Sequence, residues 1–221
     1  MLQLIKKIHK RKQPGHYQKG MTYAELIVVL SIFSVMSAIS VSNYRIFQDK
    51  IDLKNLASDI AIRLVSAQKL ASSGTLPSLA HQPPDPSVWK PTYGIYFNLI
   101  PGPNTGNKTF YSFVDVASVV QNKTFDHGPL YLCPDAECLE KINITKGNYI
   151  ESIKYYIGNT STDLTNEVHI SFTRPSQTAI FHDQNGVLPV FDYLEINVGS
   201  FTGGANTSKI RVFPSGRIQL N

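Results

Sequence analysis

Glu25 is the residue whose type and place most call for chemistry, because it stands in the passage Lys19-Gly20-Met21-Thr22-Tyr23-Ala24-Glu25 directly before nineteen uncharged residues, Leu26 to Tyr44. A carboxylate at the start of a membrane-length segment is costly to hold charged, and such residues are functional candidates whose partner has to be named. The nearest partner is a new cation. A chain cut after Gly20 would give Met21 a free α-amine, a group that titrates at about 7.7–8.0 and is mostly protonated at neutral pH. A helix start also favours an anion. The alternative is that Glu25 only marks where the apolar segment begins, its carboxylate reaching back to the interface.

Other reactive side chains are few. Cys133 and Cys138 are the only cysteines; a head exported to an oxidising compartment would allow them to join as a disulfide. Zinc would need more ligands than two thiols, with His127 the only nearby candidate, and the spacing is wrong for a CxxC redox pair. No GxSxG elbow, HExxH, P-loop or GxGxxG occurs. Ser66-Ala67-Gln68-Lys69 matches S-x-x-K without the companion motifs that would give it meaning. His182-Asp183 adjoins a turn and reads as a strand end. Sequons at Asn107, Asn122, Asn143, Asn159 and Asn206 record an Asn- and Thr-rich surface. The expectation is a protein without an active site, metal or cofactor.

A basic leader, Gly20, a hydrophobic residue at 21, Thr22, Glu25 and then LIVVLSIFSVMSAIS resemble the class III signal of type IV pilins and pseudopilins. The resemblance implies that prepilin peptidase cuts after Gly20 and methylates the new amine of Met21, and that Glu25 is the assembly carboxylate that pairs with the amine of a neighbouring subunit. Two departures are Met rather than Phe at 21 and a leader of twenty residues. Family members often carry a helix-loosening Gly and Pro where this chain has Ser34 and Ser42. The implied setting is the inner membrane, single-pass, with the head outside the cytoplasm, and then a filament of pilin or pseudopilin subunits. An ordinary secretory signal or N-terminal anchor is the rival, with Ala38-Ile39-Ser40 as its small residues at a cleavage spacing.

The charge of the chain belongs to its first residues. Of 21 Lys+Arg, six (Lys6, Lys7, Lys10, Arg11, Lys12 and Lys19) lie in a leader with no acid, leaving 15 bases against 16 acids, or −1. The sequence pI of about 9.1 therefore argues a topology with the positive end in the cytoplasm, not a nucleic-acid partner.

These residues need a long element to place them. No proline or glycine occurs between Met21 and Ser73, which predicts one helix over 21–73, with a transmembrane part at 26–44. Below it Leu53, Leu56, Ile60, Leu64, Ala67 and Ala71 make an apolar stripe at spacings of three and four. Asp59 and Arg63 are placed as an i,i+4 ion pair, and Gly74 suits the left-handed position that ends a helix. Residues 74–92 form a Pro-rich connection. From 93 to 221 the pattern predicts a β-rich head with strands at 93–99, 109–116, 149–157, 167–173, 178–182, 191–198, 208–213 and 216–220. In the fourth, Val168, Ile170 and Phe172 alternate with His169, Ser171 and Thr173, implying one buried face. The predicted fold is α+β, a long helix against an antiparallel sheet head, as in pilins.

Ile210-Arg211-Val212-Phe213-Pro214-Ser215-Gly216-Arg217-Ile218 is similar to the closing hairpin of GspH/FimT-like minor pilins, and Tyr93-Gly94-Ile95-Tyr96-Phe97 to their first head strand. The resemblance implies a minor or priming subunit. Some such pilins bind DNA through C-terminal basic residues, and Arg174, Lys209, Arg211 and Arg217 could form a patch for phosphate contacts. Gln219 stands where the family's hairpin commonly has a second base, and a solvated strand face accounts for the same residues.

Overall fold

A computed structural model of the protein describes residues 20–83, 89–100, 106–116, 121–126, 133, 137–200 and 207–221. Residues 1–19, part of the Pro-rich connection, His127 and the sequon at Asn206 lie outside them. The class is α+β: helix α1 (Tyr23–Ser73) followed by eleven described strands in two antiparallel sheets. By its contacts the chain divides after Tyr44 into two compact units.

In the first unit the helical residues expose their apolar side chains on every side, Leu26, Ile27, Val28, Leu30, Ile32 and Phe33 among them. A helix that is apolar all round requires lipid or other helices about it, and this one is long and apolar enough to cross a membrane. Its serines hide their hydroxyls in the helix backbone: Ser31 Oγ donates to Val28 O at 2.8 Å, Ser34 Oγ to Leu30 O at 2.9 Å and Ser40 Oγ to Met36 O at 2.9 Å. Such bonds satisfy a polar group where no water is present. Ser34, at one of the two places where helix-loosening residues occur in pilins, is thus bonded into the helix.

The second unit joins the rest of α1 to the β-strands. Its strands are β1 (Thr92–Asn98), β2 (Thr109–Asp115), β3 (Cys138–Asn143), β4 (Asn148–Ile157), β5 (Thr160–Leu164), β6 (Glu167–Thr173), β7 (Ala179–Asp183), β8 (Gly186–Val187), β9 (Tyr193–Ser200), β10 (Thr207–Val212) and β11 (Ile218–Leu220). One sheet runs β3-β2-β1-β6-β7-β8 and the other β11-β10-β9-β4-β5. Leu53, Ala57, Ile60, Leu64, Ala67 and Ala71 are buried in one core cluster with Ile95, Ile170, Leu194, Ile196, Ile210 and Val212. The spacing 4-3-4-3-4 keeps these six on one helix face. Ala57 occupies the buried place on the stripe where Leu56 was expected; Leu56 is half-buried beside it. Arg63 bonds Asp59 (3.3 Å) and also Glu140 of β3 (2.7 Å), and Lys146 reaches Asp52 at 2.7 Å.

Two glycines have backbone reasons. Gly74 (φ +64°) ends α1 with its N–H on Ala71 O at 3.1 Å. Gly216 (φ +85°) turns β10 into β11, and a Cβ there would collide with the Gln177 carbonyl. Gln68 Nε2 binds that turn to α1, donating to Gln177 O (2.9 Å) and Gly216 O (3.1 Å). Gly94, in the centre of β1, leaves room for the Phe113 ring, which a Cβ would approach to 2.6 Å.

The implied single buried face of β6 is corrected by the structure. Val168, Ile170 and Phe172 enter the main core, but His169 and Ser171 on the opposite face are buried too. A second aromatic cluster, Tyr96, Tyr111, Phe113, Phe125 and Cys138, covers that face. Phe125 is brought there by its own backbone, its N–H donating to His169 Nδ1 at 3.0 Å. Alternation in β6 alone could not show that a distant loop residue covers the far side.

Candidate assembly site at the start of the helix

Gly20, Met21 and Thr22 lie outside the helix, and Met21 is 63 % exposed. The helix begins on a reciprocal cap. Thr22 Oγ1 accepts from the Glu25 backbone N–H at 3.2 Å, while Glu25 Oε2 accepts from the Thr22 N–H at 2.8 Å and from Thr22 Oγ1 at 2.9 Å. The Leu26 N–H donates to Thr22 O at 3.1 Å. This is a capping box, in which the cap residue and the third residue of the helix satisfy each other's backbone donors. Sequence reading passed over Thr22 as a structural residue, although the T-x-x-E spacing before an apolar run is the signal for it.

The box gives Glu25 a local partner that the amine hypothesis did not include. Thr22 supplies two neutral donors, which fix the carboxylate without cancelling its charge. A cation is still required if the first turn is buried away from water. Gly20 is different again: its φ is not in the left-handed region and an added Cβ would meet nothing within 4 Å. The chain's own conformation therefore does not demand glycine at 20.

Elsewhere the candidate residues fall as follows. Cys133 and Cys138 are joined as a disulfide, Cys138 fully buried at the start of β3 against the aromatic cluster. Among the described residues no group of three His, Cys, Asp or Glu is placed to hold a metal ion. Ser66 and Lys69 are exposed on α1, and His182-Asp183 closes β7, where Asp183 Oδ1 accepts the Asn185 N–H at 2.7 Å. Burial, with Lys123 adding to it, lowers the His182 pKa.

Of the four basic candidates, two are already paired. Lys209 Nζ lies 3.0 Å from Glu195 Oε1 and Arg211 Nε 2.9 Å from Glu195 Oε2. Glu195 itself is 1 % exposed. Burial pushes its carboxyl up, but the bonds from Lys209 and Arg211 outweigh this and hold it below the usual carboxylate range. Arg211 also covers the Tyr193 ring (4.7 Å) and Arg217 the Phe213 ring (3.8 Å), while Tyr156 stacks on Tyr193 at 4.7 Å. Arg174 packs against Gly74 at the end of α1. The pairing of β9 with β10 places Arg211 opposite Glu195; that register was not readable from either strand.

No protein-family model matches the chain, and comparisons with curated proteins and with solved structures found no match.

Proposed function

We propose that the chain is a non-enzymatic, type IV prepilin-like subunit. It is inserted in the inner membrane with its head outside the cytoplasm, cut after Gly20 by prepilin peptidase, methylated at Met21, and drawn by its helix into a pilus or type II secretion-like pseudopilus. Its C-terminal hairpin and first head strand favour a minor or priming role at low copy.

The observation that carries this reading is the order of surfaces along α1: a capped carboxylate, then a segment apolar on all sides, then a one-sided stripe buried in a β-rich core. An all-round apolar helix is stable in lipid or among other helices. A carboxylate at its mouth gains most from a cation brought by another subunit, and the amine of a processed Met21 is that cation. The experiment is fractionation of cells carrying the intact system and Glu25→Val. The variant is expected to be cut but to remain in the membrane, with incorporation into sheared filaments reduced about tenfold or more, the factor that follows from losing a charged hydrogen bond of about 1.5–3 kcal/mol. Equal incorporation would refute the assembly role.

The nucleic-acid reading is the weaker one, because Lys209 and Arg211 are both bonded to the buried Glu195, which leaves the three side chains with a single net positive charge. The secreted-domain reading differs in the N-terminus it predicts, Val41 instead of Met21.

A further inference from the structure

The leader offers no side chain that can start a helix. Residues 1–21 contain no Ser, Thr, Asn or Asp, the side chains that cap N-termini well. Thr22 is therefore the first such residue in the chain, and its hydroxyl accepts the Glu25 N–H while its own N–H is taken by the Glu25 carboxylate. Two residues before it lies the Gly20–Met21 bond, non-helical and exposed. Peptide bonds are cut where the backbone is accessible and not engaged in helix.

We infer that Thr22 is a positioning residue for processing: its cap starts the helix beyond the Gly20–Met21 bond and so keeps that bond out of the first helical turn. The inference rests on cleavage after Gly20, as proposed above. Without the Thr22 hydroxyl the nearest acceptable cap upstream is Gly20, since glycine is tolerated at that position. No proline between Gly15 and Gly20 opposes the shift. The helix start then moves back by two residues, Met21 becomes the first helical residue, and the scissile amide is drawn into the turn. With Thr22 intact, Gly20 needs no left-handed backbone and an added Cβ would meet nothing within 4 Å, so the start of the helix next to the bond is set by Thr22.

The test uses the full-length precursor in membranes with prepilin peptidase, following the new Met21 N-terminus by mass spectrometry. Thr22→Val is expected to slow its appearance about fivefold, the factor by which a lost cap shifts a helix-end equilibrium. Thr22→Ser restores the hydroxyl and the rate. Thr22→Val combined with Tyr23→Pro also restores it, because proline fits the first helical position and disfavours helical backbone at the residue before it. Rescue by proline separates a role in helix starting from recognition of the hydroxyl by the peptidase.

Cleavage of Thr22→Val at the wild-type rate would overturn the inference. Failure of the proline variant to recover would also overturn it, assigning Thr22 to direct recognition. No cleavage of the wild-type chain after Gly20 would instead remove the processing reading on which it rests.

Discussion

At the scale of single residues, two buried glutamates have opposite electrostatic fates. Glu195 is held ionised by Lys209 and Arg211 across the β9–β10 pair. Replacing it with Ala should lower stability by about 1–2 kcal/mol, a modest figure because both cations keep a third or more of their surface in water and re-solvate. Chemical denaturation of the detergent-solubilised chain measures it. Glu137 behaves in reverse: burial pushes its carboxyl up to about 7, against the backbone N–H bonds from Asp126 and Val116 that pull it down. A folded pKa above the unfolded one means that the folded state holds the extra proton. Its contribution is complete below about pH 4.5 and is lost as pH rises through about 7. Between pH 5 and pH 8 the wild type should therefore lose stability relative to Glu137→Gln, by on the order of 2 kcal/mol. A flat difference over that range would show that the carboxyl is not perturbed.

At the scale of elements, α1 contributes to stability through its lower stripe and to placement through its ends. Leu64 is fully buried among strand residues, so Leu64→Ala should cost about 2–5 kcal/mol in the same denaturation measurement. Gly216→Ala should cost about 2 kcal/mol or more, combining a left-handed backbone with a collision at the Gln177 carbonyl. Neighbouring Ser215→Ala, without these constraints, serves as the comparison.

The elements legible in the sequence were those with internal signals. The helix stripe, the Gly74 stop and strands such as β1, β2, β4 and β6 carry their own periodicity or β composition. The strands passed over, β3, β5 and β8, are all edge strands. β5 reads Thr-Ser-Thr-Asp-Leu with four exposed residues, and β8 has only two residues. Such segments become strands through pairing, and an edge facing water needs no apolar alternation. Glu25 stood out by type and place, whereas its bonds with Thr22 were legible only as a spacing. The Glu195 cluster depended on a register that no single strand contains.

At the scale of the whole chain, charge and surface are divided by segment. The basic excess lies in residues 1–19, and the rest is near neutral at −1. Lys209 and Arg211 are bonded to Glu195, so residues 21–221 in detergent should not shift labelled duplex DNA at low salt. A shift that weakens with salt and disappears in an Arg211→Ala, Arg217→Ala variant would restore the nucleic-acid role. Mass spectrometry of the N-terminus, on protein recovered from its own cell, decides whether the chain is cut after Gly20. A prepilin-like subunit is expected to begin at Met21 and to carry one added methyl group on its amine. A chain beginning at Val41, or one retaining residues 1–20, would contradict it.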